Sequence, residues 1–217
     1  MKQKFLPLFI KVDFRLDIIK LRELDENIFT KIKNKYGFNT LEINKDEVIL
    51  RGGFPMFSCI FSEESIQIVT FTSDIQTAID SIIDLVNQIN ILAEIEIQYI
   101  SYIEIANLLK FQDNKDLFGF FVNCKDYSDG VEISGAYLTL DTIDGKKNIK
   151  YIFKFEDEKG FSAIALKALL NFKDDIELKG LLEHNIKYLQ EKMTYFLSTR
   201  SGKFLLGVGV NKIEQKR

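Results

Sequence analysis

Apolar and polar residues alternate with a period of two along much of this chain, interrupted by stretches where the apolar positions recur every three or four residues. Residues 5–16 are apolar with partial alternation and predict a strand. Asp25 is placed to cap a helix running to about Tyr36, with Ile28, Phe29, Ile32 and Tyr36 on one face and Gly37 just past its end. Residues 40–50 and 54–61 read as strands around Gly52-Gly53, and 65–72 as a third, with Ile66, Ile68 and Thr70 in alternation. Ser73 begins a capping box with Gln76, followed at helical spacing by Ile75, Ala78, Ile79, Ile82, Ile83 and Val86. Residues 94–105 then alternate, with Ile95, Ile97, Tyr99, Ile103 and Ile105 on one face and Glu94, Glu96, Gln98 and Glu104 on the other.

The second half of the chain predicts a hairpin, 136–143 with 148–156, turned by Asp144-Gly145. Residues 161–172 fit helix and strand equally. A long amphipathic helix is expected over about 175–197, with Leu178, Leu182, Ile186, Leu189, Met193 and Leu197 in one stripe about 34 Å long. A short strand, Phe204 to Val210, closes the pattern.

Hairpins and meanders without regular βαβ alternation place the chain in the α+β class: a mostly antiparallel sheet packed on two main amphipathic helices. The polar run Gln112-Asp113-Asn114-Lys115-Asp116 is the best candidate boundary. It divides the chain into two similar α+β halves, 1–111 and 117–217, or marks a loop within a single compact domain. The 217 residues suffice for a core without metal or disulfide staples.

Composition narrows the chemistry. The chain holds one His, two Cys and no Trp, with a net charge of −3. Cys59 and Cys124 lie far apart in sequence, and three Cys/His residues in total fall short of a structural zinc set. Two free thiols among apolar neighbours fit a reducing cytoplasm. The apolar stretch Phe5–Ile10 is shorter than the roughly 7–15 residues of a secretory leader, and no window approaches the ~20 apolar residues of a membrane span. The expectation is a cytoplasmic protein with no membrane association. Abundant Ile, Lys, Asn and Phe point to an AT-rich genome, bacterial or phage.

His184, on the long helix beside the apolar stripe, is the only candidate for a catalytic base of near-neutral pKa. Its plainer reading is a histidine on the helix flank. No G-x-S-x-G elbow accompanies it, and no P-loop or dinucleotide fingerprint survives inspection at Gly202 or Gly207-Val208-Gly209. Carboxylate pairs such as Glu94/Glu96, Asp126/Asp129 and Glu156-Asp157-Glu158 read as solvated, and none has metal-ligand spacing. Basic clusters are small: Lys31, Lys33 and Lys35; Lys146-Lys147; Lys212, Lys216 and Arg217. That argues against nucleic acid.

The strand Ile97-Gln98-Tyr99-Ile100-Ser101-Tyr102-Ile103-Glu104 and the helix segment Leu181-Leu182-Glu183-His184 carry a further signal. In these dozen residues the chain resembles a sporadically distributed family of bacterial proteins with a Tyr-Ile-x-x-Ile strand midway and a Leu/His helix near the C-terminus. The resemblance implies a two-part α+β fold in a bacterium and no particular activity.

The functional expectation is a non-enzymatic protein-binding or accessory protein of a bacterial or phage system, engaging a protein partner or a second copy as a homodimer, with no cofactor and no metal. Two alternatives stay open: an enzyme built on carboxylates and a divalent metal, and a nucleic-acid-binding protein.

Overall fold

Side chains alternate across a strand. In β1 (Phe9–Leu16) this sends Ile10, Val12, Phe14 and Leu16 to one face, all buried, and Phe9, Lys11, Asp13 and Arg15 to the other. The computed structural model of the chain describes residues 5–16, 24–95, 97–110, 135–144, 147–156, 161–172 and 177–199.

β1 lies inside a nine-stranded sheet whose other strands are β2 (Thr40–Ile43), β3 (Glu47–Arg51), β4 (Met56–Ser62), β5 (Ser65–Phe71), β6 (Ile97–Lys110), β7 (Gly135–Asp144), β8 (Lys147–Glu156) and β9 (Phe161–Phe172). Their spatial order is β2-β3-β4-β5-β1-β6-β9-β8-β7, and every neighbouring pair is antiparallel. The α+β class and the antiparallel sheet are therefore what the structure shows. The ladder between β6 and β9 carries the sheet without a break from the first half of the sequence into the second. The candidate boundary at 112–116 lies outside the described residues.

Among the described residues three helices cover one face: α1 (Glu26–Tyr36), α2 (Ile75–Ala93) and α3 (Leu178–Ser198), with α2 touching both of the others. Register fixes the covered face. Phe61, Ile66, Phe14 and Ile100 form one cross-strand row, and Cys59, Ile68, Val12 and Ile103 the next, all buried. Phe29 of α1 meets Phe61 edge-on at 5.1 Å between ring centroids, and Phe196 of α3 meets Tyr151 of β8 at 4.9 Å. From α2, Ala78, Ile79, Ile82, Leu85, Val86 and Ile89 are buried. The five larger ones each contribute about 1.5–3 kcal/mol of transfer free energy. In α3 the stripe Leu182, Ile186, Leu189 and Met193 is buried. Alongside it Gln190 donates to the Phe5 carbonyl at 2.7 Å, and the Thr194 hydroxyl accepts from the Phe5 amide at 2.9 Å.

Several local expectations are corrected. Residues 40–50 are two strands, β2 and β3, because the turn-forming Asn44-Lys45-Asp46 reverses the chain and Asn44 N–H bonds the Glu47 carbonyl at 2.9 Å. The α2 cap is Asp74 and not Ser73: its carboxylate accepts from the Gln76 amide at 3.0 Å and the Thr77 hydroxyl at 2.7 Å. A charged acceptor at the positive end of a helix is the stronger cap. The face assignment over 94–105 fails for Tyr99. Glu94 ends α2 with a left-handed φ of 53°, and β6 shifts register against β1 between Asp13 and Phe14 and between Arg15 and Leu16. These bulges leave Tyr99 opposite Arg15 while Ile97 faces Leu16 and Ile103 faces Val12. In the hairpin, Asp144 is a strand residue opposite Lys147, so the connection falls one position later than expected. Residues 161–172 are strand, the long helix starts at Leu178, and α1 joins the other two helices in covering the sheet. The strand expected at 204–210 lies outside the described residues.

Candidate functional site

Among the described residues the helices lie on one face of the sheet, and the opposite face carries the side chains that alternate with the core. Two features stand on it.

The first is aromatic. Phe9 of β1 and Phe71 of β5 are direct cross-strand partners with ring centroids 5.0 Å apart, and Phe57 of β4 meets Phe9 at 5.7 Å and Phe71 at 6.4 Å. A register shift between Met56 and Ser58 in the β4–β5 ladder brings Phe57 to this face. Phe57 is 48 % exposed and Phe71 36 %. At the same end of the sheet Leu6 and Phe54 are also exposed. The Gly52-Gly53-Phe54-Pro55 turn, with a cis Phe54-Pro55 peptide bond, is fixed beside Phe71 by a 2.7 Å bond from the Phe71 amide to the Pro55 carbonyl. Glycine is required at position 53, where φ is 158° and a Cβ would stand 2.9 Å from the Met56 carbonyl oxygen.

The second is a polar row. Pairing places Lys11 opposite Glu104, Glu104 opposite Lys167, Lys167 opposite Lys150, and Lys150 opposite Asp141. Beside it, Asp13 stands opposite Tyr102. Lys167 Nζ lies 3.4 Å from the Tyr102 ring centroid and Lys11 Nζ 5.5 Å from it, both within cation–π range. Gln67 donates to Tyr102 Oη at 2.8 Å. Asp13, almost fully buried, accepts from Ser101 Oγ at 2.5 Å, and Ser101 is the extra residue of the bulge that opens the register there.

Electrostatics follow from this partial burial. Loss of water around Tyr102, then the charges of Asp13 and Glu104, push its phenol above the ordinary tyrosine range. Loss of water also lowers the Lys167 pKa, with Glu104 opposing and Lys11 assisting that shift. The network holds its ions against one another: counting Arg15 with its Glu64 partner at 3.2 Å, the cations Lys11, Arg15, Lys150 and Lys167 stand beside the anions Asp13, Glu64, Glu104 and Asp141.

The residues singled out in the sequence fall elsewhere. His184 is exposed on α3, outside both features. Cys59 is buried among the core strands, where desolvation raises its thiol pKa and keeps it protonated. Lys31 and Lys35 are exposed on α1, with Lys35 paired to Asp84 of α2 at 3.3 Å. Cys124, Asp126, Asp129, Asp157, Glu158 and the basic residues from 212 on lie outside the described residues. Among the described residues no three His, Cys, Asp or Glu side chains come together to hold a metal ion, and no helix is long and apolar enough to cross a membrane. Sequence reading missed the open face because each row is assembled from strands that only register brings together.

No family model matches the chain, and no curated protein matches it significantly.

Proposed function

We propose that this chain is a non-enzymatic binding protein that docks a protein partner on its open sheet face, with Phe9, Phe57 and Phe71 as the anchor. The observation that carries this reading is the exposure of Phe57 and Phe71, already packed with Phe9. Large apolar surface left in water stabilises nothing in the isolated fold and marks interaction sites on soluble proteins. Rigid aromatic rings are also the residue type that dominates interface energetics, since they bury much area for little lost freedom. The balanced charges beside the cluster suit the mixed polar rim of a protein interface and give a polyanion no net attraction.

The test is purification of the tagged protein from its own host, beside Phe57→Asp and His184→Ala. The expected result is a stoichiometric protein partner held by the wild type and by His184→Ala, and lost with Phe57→Asp at a melting temperature within about 4 °C of wild type. Retention of the partner by Phe57→Asp overturns the reading. So does an eluate with no protein partner, or one holding DNA or RNA that salt removes.

A further inference from the structure

Phe5 and α3 hold each other across most of the length of the sequence. The Phe5 side chain is buried, and α3 engages both of its backbone groups: the amide donates to Thr194 Oγ1 at 2.9 Å and the carbonyl accepts from Gln190 Nε2 at 2.7 Å. Gln190 and Thr194 are four positions apart and so share a helix face. The Thr194 hydroxyl donates in turn to the Gln190 carbonyl at 2.7 Å, and Gln190 is itself buried. The residues that follow Phe5 are tied to β6. Asn107 Nδ2 donates to the Leu6 carbonyl at 2.7 Å, and the Leu8 amide donates to the Ala106 carbonyl at 2.8 Å. Pro7, also buried, has a fixed φ and biases Leu6 toward extended backbone. Residues 5–8 thus form a strap that joins α3 to the sheet.

α3 depends on such a tie more than the other helices do. α1 and α2 open on Asp25 and Asp74, whose carboxylates accept from first-turn amides. α3 opens on Glu177 without a side-chain cap, has no acid in its first turn and no base in its last, and carries Gly180 near its start. Lys179 sets a cation at the positive end of the helix, and its 2.9 Å pair with Asp80 of α2 is exposed and adds little. What holds α3 is therefore tertiary: the stripe Leu182, Ile186, Leu189 and Met193, and the strap.

We propose that residues 5–8 are a latch for α3: when Phe5 leaves its seat, α3 undocks as one unit while α1, α2 and the strands beneath them stay folded. Strap and helix release together because either alone strands buried polar groups, the Gln190 amide on one side and the Phe5 carbonyl on the other. The opening parts the α3 stripe from the core and gives the fold a second conformation. It uses no residue of the aromatic cluster and stands whether or not that cluster docks a partner.

The test is hydrogen exchange of the full chain read by mass spectrometry, comparing segment 178–198 with segment 75–93 in wild type, Gln190→Leu, Phe5→Ala and Phe61→Leu. In wild type, 178–198 should exchange faster than 75–93 and with a shallower urea dependence, because a partial opening exposes less surface than global unfolding. Gln190→Leu and Phe5→Ala should each speed 178–198 by about fivefold or more, since both weaken the seat that the opening breaks. Phe61 packs on Phe29 of α1 and keeps that contact in the opened form. Phe61→Leu should therefore speed 75–93 by about fivefold or more and leave 178–198 within about twofold of wild type. Should Phe5→Ala fail to fold, Gln190→Leu decides the role of the strap. Equal acceleration of both segments by Phe61→Leu, or one shared urea dependence, shows that α3 opens only with the whole fold and overturns the proposal. So does a 178–198 segment indifferent to Gln190→Leu.

Discussion

The ammonium of Lys167 stands 3.4 Å from the centre of the Tyr102 ring, two strands apart in space from Lys11, which approaches the same ring at 5.5 Å. The contact is close, yet the Lys167 pKa is lowered, so its surroundings as a whole disfavour the charge. Loss of water is the largest cause, assisted by Lys11 and Lys150 and opposed by Glu104 and Asp13. Replacing Lys167 with Met keeps the apolar stem over the ring and removes the charge. The expected change in unfolding free energy, read from urea denaturation, is a gain or a loss of less than about 1 kcal/mol. A loss well beyond that shows the cation–π contact to dominate.

The two faces of the sheet separate core phenylalanines from docking ones. Phe61→Ala removes a fully buried ring that Phe29 packs against, and should destabilise the protein by about 3–5 kcal/mol. Phe57→Ala removes a half-exposed ring and should cost about 1 kcal/mol or less, the worth of its aromatic contacts. Parallel chemical denaturation of the two variants checks this. Equal losses would place Phe57 in the core and remove the anchor from the proposed interface.

Capping of α2 gives a sharper local test. Asp74→Ala leaves the Gln76 amide and Thr77 hydroxyl without their acceptor and should cost about 1 kcal/mol, while Ser73→Ala should stay within about 0.5 kcal/mol. Thermal unfolding of both variants distinguishes the structural cap from the capping box that the sequence spacing suggested.

Tyr36 and Asp84 join α1 to α2 through a 2.7 Å hydrogen bond and predict both limbs of the pH–stability curve. Burial, then the bond to Asp84, raises the phenol pKa in the fold. Above about pH 10 the unfolded chain sheds the Tyr36 proton while the folded one retains it. The unfolded state then binds fewer protons, and stability falls as pH rises. Asp84 is held below the usual carboxylate range, first by the Tyr36 hydroxyl and then by Lys35. Its contribution is present above about pH 4 and is lost as pH falls through the lowered value. Tyr36→Phe should flatten both limbs relative to wild type, measured as unfolding free energy at pH 3, 7 and 10.5. Parallel curves for the two proteins would show that the bond is not made in solution.

The sequence by itself determined the elements whose signal is local. Asp25 and Gly37 bracket α1 because a carboxylate can accept from the first-turn amides and glycine adopts the left-handed φ of 67° that ends the helix. The stripes of α2 and α3 are set by spacing alone, since residues three and four apart share a helix face whatever the rest of the chain does. The alternation in β1 likewise fixed which residues share a face. Only the tertiary structure decided where Tyr99 points, because the bulges in β6 arise from pairing with β1, and a one-residue slip sends a side chain to the opposite face. It also decided the identity of the open face. Phe9, Phe57 and Phe71 are separated by up to 62 positions, and Lys11 and Lys167 by 156. Neither group is visible along the chain, because a cross-strand row is a property of the ladder and not of any one strand.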